Sequence, residues 1–541
     1  MNKHSFKIFH AGFAAIVVLL GLNSCSDAWV NHYETNLSIH SDTTLWMMMQ
    51  RQENLSDFRE ILDSTHVSSY NNSSTVSYAE LLNSEQTFTI WAPINGSFDK
   101  NMLLNLCQTD SGQRVVERTF VRNHIARFLF SITSETDKNV IMLNGKEKIL
   151  KGFVFGDVNI TTPNIVTSNG ILHILNGKIG FLDNLYEGLF NNGDFSRMAS
   201  FFKAYQKDSL DEFASVSSGI VDGKTVYVDS VLIVKNALLD ELGYLNEEDS
   251  SYMVIAPSNT AWDAAYAKIA PYFNFSFITN AAALQDYWAK HNLIGDLIFN
   301  TNLQASANDS LVSTQFTAKD PLKHVFHKPY ESGGILSEVI DSTVCSNGTF
   351  YKVDKWPFSL QKTFFLPLKT EAEEESSILN PAQASLIVRS VIGKGLSNNS
   401  YLDVLPTASF PTLTFQVKNT LSGKYDVCVV FVPQSVYKTP LNHADSLDVF
   451  RPCRFRATLY YTDASGKPIF INCANGGYFS NNAYKLDTVC VAQGFKFPTC
   501  NLNQNEVTVS LKLLSYVTSG QMTTYNREMF IDCVYLKPRE D

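Results

Sequence analysis

The sequence predicts an α+β chain: two related mixed domains in tandem, followed by an all-β antiparallel sandwich. Three observations predict it. A strand-to-helix corner occurs twice, at Thr89–Phe98 and at Met253–Trp262. A Ser-Asn-Gly turn between apolar runs follows each corner, at Ser168-Asn169-Gly170 and at Ser346-Asn347-Gly348. Beyond about residue 366 apolar and polar residues alternate with period two, the pattern of half-buried strands.

Each piece of the corner has a physical reading. The apolar run before Ala-Pro is a strand. Pro93 and Pro257 have no N–H to give a ladder and end it. Asn95 and Asn259, two positions later, read as caps for the helix that follows. Phe98 and Trp262 would pin that helix to the core. Asn-Gly between apolar runs is a strong hairpin signal, because both residues accept positive φ in a tight turn. Between corner and hairpin lies a His with an apolar residue one or two positions on, His124 before Ile125 in the first copy and His291 before Asn292-Leu293 in the second. Repetition at this long period means duplicated domains and not a solenoid.

The Ala-Pro-x-Asn-x-x-aromatic corner, the mid-domain His and the Ser-Asn-Gly hairpin resemble the fasciclin domain. That resemblance covers roughly Asp42 to Phe358. It implies a β-wedge with flanking helices in each copy, and a role in adhesion or extracellular binding in place of catalysis. Animal adhesion members often carry Tyr-His where this chain has Asn123-His124 and Lys290-His291, so integrin binding does not carry over.

The 541 residues suit three or four ordinary domains. Apolar content of 45% and charged content of 18% describe globular material. A net charge of −10 and the lack of a Lys/Arg block argue against nucleic acid and anionic lipid as partners.

In chain order, residues 1–24 read as a leader. Lys3 and Lys7 precede an apolar run, Ala11 to Leu22, that is short for a membrane span. Leu22-Asn23-Ser24-Cys25 resembles a bacterial lipobox, which implies lipidation of Cys25; a plain secretory leader is the alternative. Acyl chains would anchor the protein, at about 0.8 kcal/mol per buried CH₂. Residues 25–40 read as a tether. Asp27 favours the outer membrane by the same resemblance, with the cell surface expected and the periplasmic face open.

The first fasciclin-like domain is placed at 41–185. Leu55, Phe58, Ile61 and Leu62 share one helical face, with Asn54 as a cap. Val115 to Ala126 reads as a helix running into His124, and Phe153–Phe155 and Ile160 as strands. The second domain is placed at 186–365. Leu210 and Phe213 are assigned to its first helix, Val226 to Val234 to a strand, and Leu238, Leu239 and Leu242 to a helix. Trp288, His291 and Ile294 lie on a further helix.

The sandwich is placed at 366–541. Glu371 to Ser377 reads as a linker or solvated loop without a metal site. Leu413–Val417, Phe455–Tyr461 and Val507–Leu513 alternate, and Val427–Val432, apolar on both faces, is a central strand. Ser422–Val427 and Phe530–Leu536 give a weak likeness to carbohydrate-binding jelly-roll modules. No Trp follows Trp356, so Tyr460, Tyr461 and Tyr478 are the residues left for sugar contact, rim packing being the alternative.

Nine Cys are present, and Cys428, Cys453, Cys473, Cys490, Cys500 and Cys533 lie in the last domain. None has C-x-x-C spacing, and six allow fifteen pairings. Disulfides and buried free thiols both stay open. His124 and His291 are read as matching structural hydrogen-bonders, and His173 as a strand position held by Tyr351 in the second copy. No catalytic or phosphate motif appears, no cofactor or metal is implied, and scattered carboxylates form no couple. The expectation is a non-enzymatic, lipid-anchored envelope protein that adheres to or binds an extracellular protein or polysaccharide. One rival is an accessory glycan-binding lipoprotein of an uptake system, beside an outer-membrane transporter; the other is a glycoside hydrolase with unrecognised carboxylates.

Overall fold

A computed structural model describes residues 42–68, 73–221, 224–301, 310–315, 324–437 and 450–540. The expected leader, Cys25 and the tether lie outside the described residues. The fold is mixed α+β with several sheets. The chain divides into two compact units, one of residues 1–181 and 210–233, the other of 182–209 and 234–541. Among the described residues no helix is long and apolar enough to cross a membrane.

In the first unit, strand Phe88–Pro93 is buried along its whole length. It runs parallel to Gly170–Leu175, from Phe88 opposite Gly170 to Pro93 opposite Leu175, and antiparallel to Ile125–Arg127. Strand Val158–Thr167 continues the sheet to three further short strands. Helix Ser56–Ser64 buries Phe58, Ile61 and Leu62 against one side. Its capping position is Leu55, not Asn54. The expected long helix into His124 is broken into three: helix Asp110–Val116, a π turn Glu117–Val121 and a 3₁₀ turn Arg122–His124. The π turn puts Glu117 and Arg122 inside as an ion pair at 2.9 Å, with the Tyr78 hydroxyl on the Arg122 Nε at 2.7 Å.

The second unit repeats the scheme. Strand Tyr252–Pro257 runs parallel to Gly348–Val353, from Tyr252 opposite Gly348 to Pro257 opposite Val353, and antiparallel to Ile298–Asn300. Helices Leu185–Asn191 and Ser196–Lys203 stand where Leu45–Gln50 and Ser56–Ser64 stand in the first copy. Leu210 and Phe213 are not helical. They lie in strand Gln206–Val221, which pairs with Lys224–Asn236. The helix has already ended at Lys203, and Val216, Ile220 and Val221 further along the segment favour a pleated chain. Among the described residues, the first copy has the short pair His66–Ser68 and Ser73–Ser77 at this place.

The same unit continues into two six-stranded antiparallel sheets. One contains Val427 and its neighbours at its heart, strand Lys424–Phe431 lying between Asp487–Lys496 and Met529–Arg539. The other is ordered Ile378–Ala382, Thr412–Gln416, Ser510–Ser515, Arg454–Thr462, Pro468–Asn472. Their inward residues share one core, with Phe431 of the first sheet 4.9 Å from Phe455 of the second between ring centres. That core is continuous with the core of the second repeat. Phe365 packs on Tyr272 at 4.7 Å and on Tyr425 at 5.0 Å. Backbone bonds from Ser422 to Tyr272 (2.8 Å) and from Cys500 to Asn274 (2.7 Å) close the junction.

Of the two readings of Glu371–Ser377, the linker fails, while a solvated loop holds for its middle, where Glu374, Glu375 and Ser376 are exposed. Leu368–Glu371 is a strand on Met529–Arg539, Ala372 is fully buried, and its N–H bonds the Asp532 carbonyl at 3.0 Å. Its carboxylates are held by donors: Ser397 Oγ gives to Glu371 at 2.6 Å and Ser400 Oγ to Glu373 at 2.7 Å. Cys428 and Cys490 are cross-strand partners joined as a disulfide, while Cys453, Cys473, Cys500 and Cys533 are buried free thiols.

Candidate functional site

The duplicated motif residues are spent inside the fold. Asn95 and Asn259 do not cap the helices that follow them. Asp99 caps helix Lys100–Leu106 and Ser258 caps Asn259–Ile269. Instead Asn95 Oδ1 accepts the N–H of Asp57 at 2.9 Å, and Asn259 Oδ1 that of Arg197 at 2.9 Å. Each therefore caps an earlier helix across space, supplying the acceptor that Leu55 and Phe195 at the N-cap positions cannot.

The turn motif also differs from expectation. Thr167 pairs with Gly170 and Cys345 with Gly348, so the two loop residues are Ser-Asn in each copy. Neither Asn169 nor Asn347 has a positive φ. Glycine is required for a different reason. A Cβ on Gly170 would lie 2.0 Å from the Phe88 carbonyl oxygen, and one on Gly348 would lie 2.0 Å from that of Tyr252.

His124 and His291 do not match. Ile90 pairs with Ile125 and Val254 with Ile298, which sets His124 against Leu297. His124 is fully buried; its Nδ1–H donates to the Phe120 carbonyl at 2.7 Å and its Nε2 accepts from Ile179 N–H at 3.0 Å. Burial first, opposed by the Phe120 bond, takes its pKa down to about 4. His291 lies on helix Ala281–Ile294 with Nε2 2.9 Å from Glu241 Oε2. His173 does match Tyr351, and is likewise held neutral, near 4, by burial.

The side chains that face outward and cluster lie on the second C-terminal sheet. Strand Arg454–Thr462 turns Phe455, Ala457 and Leu459 inward, and Arg454, Arg456, Thr458 and Tyr460 outward. The three tyrosines available for sugar contact are separated. Tyr461 packs against the core on Phe495 at 4.9 Å and Phe497 at 6.4 Å. Tyr460 lies outside beside Phe470 at 5.7 Å. Tyr478, 40% exposed, joins a different group. The Arg454 guanidinium sits 3.6 Å from its ring centre and that of Arg456 4.5 Å. Arg456 also lies 4.4 Å from the Tyr516 ring, and its Nη2 donates to the Tyr478 hydroxyl at 2.7 Å. Tyr516 stacks on Phe410 at 5.0 Å, and Tyr525 is 5.5 Å from Arg454.

This cluster pairs two cations with three aromatic rings, Tyr478, Tyr516 and Tyr525, and Phe410 backs Tyr516. Ring faces attract guanidinium through their quadrupole, by about 0.5–2 kcal/mol per pair. Among the described residues neither Arg454 nor Arg456 has a carboxylate partner, and Arg456 Nε is buried with no acceptor. Alternation along the strand places Arg454 and Arg456 opposite the inward residues, but nothing local points to Phe410, Tyr516 or Tyr525. Those lie at strand ends and loops brought together by sheet order, which no local spacing reveals.

Two carboxylate groups were also illegible. Glu528 lies against the fully buried Asp403, and burial followed by the Asp403 charge pushes Glu528 up to about 7. Arg389 holds the other side of Asp403 at 2.7 Å. Asp532, raised to about 6 chiefly by burial, accepts the Ser397 N–H at 2.9 Å.

No family model and no curated protein sequence matches the chain. Solved structures similar to it include the FAS1 domain pair of the insect cell adhesion molecule fasciclin I, at 13% identity and TM-score 0.19, covering 52% of this chain and 91% of that one. A xylan-binding domain from carbohydrate-binding module family 22 is similar at 12% identity and TM-score 0.20, covering 31% of this chain and 92% of that one. The corresponding xylan-binding domain from Paenibacillus barcinonensis is similar at 10% identity and TM-score 0.21, covering 33% and 95%.

Proposed function

We propose that the chain is a non-enzymatic, lipid-anchored envelope protein that binds an extracellular protein or glycan. The lipid is carried on Cys25 and the protein stays at the outer membrane, facing the medium. Residues 41–185 and 186–365 are its two fasciclin-like domains, and 366–541 its jelly-roll-like sandwich. The observation that supports the reading is the duplicated lock: Asn95 with Asn259, and Asn169 with Asn347, make the same bonds in each copy. The motif that resembles fasciclin thus builds scaffold in both copies and leaves outer surfaces for binding.

The exposed cluster at Tyr478 favours a second form of the reading, an accessory glycan-binding lipoprotein of an uptake system. Two measurements test the proposal. A Cys25→Ala chain should leave the membrane fraction for the soluble one, and protease added to intact cells should cleave the wild type. Membrane retention of the alanine variant would sink the anchor, and protection from protease would sink the surface location. Pulldown with the full chain in detergent then separates a protein partner from a polysaccharide. Recovery of neither would remove the binding role.

A further inference from the structure

We infer that the Arg454–Arg456–Tyr478 cluster is a subsite for an acidic polysaccharide, its carboxylates read by the two guanidiniums. This rests on the glycan-binding form of the reading above and names the class of glycan.

For Tyr478 the sequence leaves two readings, a platform on which a sugar ring stacks and rim packing. The geometry does not leave it bare. One guanidinium lies 3.6 Å from its ring centre and another 4.5 Å. Arginines in that position compete with an uncharged sugar for the ring face. They are themselves presented outward, from a strand whose alternate residues fill the core.

Charge makes the second half of the case. The protein carries a net −10, with 53 acidic residues against 43 basic. Exposed arginines in such a chain would ordinarily find carboxylates, as Arg197 finds Asp263 and Arg539 finds Asp426. Arg454 and Arg456 have none among the described residues. Lys512 adds a third cation nearby: it faces Thr458, the next outward residue after Arg456, across the strand pair. Arg456 Nε is buried, out of a ligand's reach, and Arg456 Nη2 already donates to Tyr478, which leaves the other η N–H groups of the two guanidiniums as the donors on offer. A guanidinium with open donors matches a carboxylate in two parallel N–H···O bonds. Packing on the rings holds each guanidinium plane before ligand arrives, which lowers the ordering cost of binding. Phe410, stacked on Tyr516 at the edge of the cluster, supplies an apolar surface for the sugar carbons.

The test uses the full-length chain in detergent and affinity electrophoresis through gels containing polygalacturonate, alginate or hyaluronate. Fully methyl-esterified polygalacturonate and xylan serve as uncharged controls. Retardation by at least one acidic chain is expected, at least tenfold weaker with the ester and in the double variant Arg454→Gln/Arg456→Gln. The double variant Arg454→Lys/Arg456→Lys keeps the charge but not the fork, and should bind less than wild type and more than the Gln pair. An unchanged thermal melt establishes that each variant is folded. Equal retardation by the esterified chain, or by xylan, would overturn the acidic inference and leave glycan binding standing. No retardation by any chain would overturn this inference together with the glycan form of the proposed function, leaving the protein-partner form to the pulldown.

Discussion

Asn169 and Asn347 hold the same three backbone groups, each within its own repeat. Asn169 Oδ1 accepts the N–H of Leu45 at 2.7 Å, and its Nδ2 gives to the carbonyls of Leu82 and Ser84 at 3.0 and 2.6 Å. Asn347 takes the N–H of Leu185 at 2.8 Å and gives to the carbonyls of Leu245 and Glu247 at 2.9 and 2.8 Å. One amide ties the first helix of the repeat to the turn and to the chain entering the buried strand. Replacing Asn169 by Ala would strand these buried groups, at about 1–3 kcal/mol apiece. The expected outcome is a loss of about 3 kcal/mol or more in denaturant unfolding. Asn169→Asp should fall in the same direction, because a carboxylate cannot donate to two carbonyls. A change below about 1 kcal/mol would mean the amide is not the lock.

Gly170 and Gly96 should respond very differently to alanine. Gly170 has the Phe88 carbonyl oxygen 2.0 Å and Leu45 Cδ1 2.6 Å from where a Cβ would sit. Gly96 has nothing within 4 Å and stands at φ 73°. Gly96→Ala pays only backbone strain, about 1 kcal/mol. Gly170→Ala must push the parallel strands apart, and overpacking of that kind costs about 3 kcal/mol or more. Urea midpoints of the two variants decide it, and equal losses would contradict the close approach.

The two units should respond oppositely to pH. His124 and His173 are held near 4, below their usual value, by burial in the first unit. The unfolded chain then binds more protons between about pH 4 and 6.5, so their stabilisation is full above 6.5 and lost as pH falls to 4. Each shift corresponds to about 3 kcal/mol. Glu528, near 7, and Asp532, near 6, are raised in the second unit. There the folded state binds more protons, so the contribution is full below about pH 4 and lost as pH climbs through 7. Calorimetry should therefore show the first unit weaker at pH 5 than at pH 7.5, and the second unit stronger. Glu528→Gln should flatten the second response, by about 2–4 °C between these pH values.

Reducing the Cys428–Cys490 disulfide frees a loop with a sequence separation of 62. Loop-closure entropy for that length gives about 4 kcal/mol, with measured cases at 2–5. The paired variant Cys428→Ala/Cys490→Ala should lower the melting temperature of the second unit and leave the first unchanged. If the pair melts with the wild type, the crosslink adds nothing to the folded sheet.

How much of this was legible differs from residue to residue. The inward positions Phe58, Ile61, Leu62, Leu238, Leu239 and Leu242 follow from helical spacing, and Phe455, Ala457 and Leu459 from alternation. The strand status of Leu210 was missed because a few spaced apolar residues fit either period. His124 and His291 look equivalent along the chain, yet the sheet register sets His124 against Leu297. The acidic run at Glu371 has the composition of a linker, and only its pairing with the last strand buries Ala372.

Repetition of the corner and turn was enough to establish from residues alone that one folding unit is used twice, because packing and turn demands recur with the same side chains. Which groups those side chains satisfy was settled by the folded chain. Asn95 caps a helix that precedes it, Gly170 makes room for another strand's carbonyl, and Arg454 and Arg456 meet Tyr478 and Tyr516 across separate elements. Local periodicity records which face of an element is apolar, whereas hydrogen bonds and ring contacts depend on distances between elements remote in sequence.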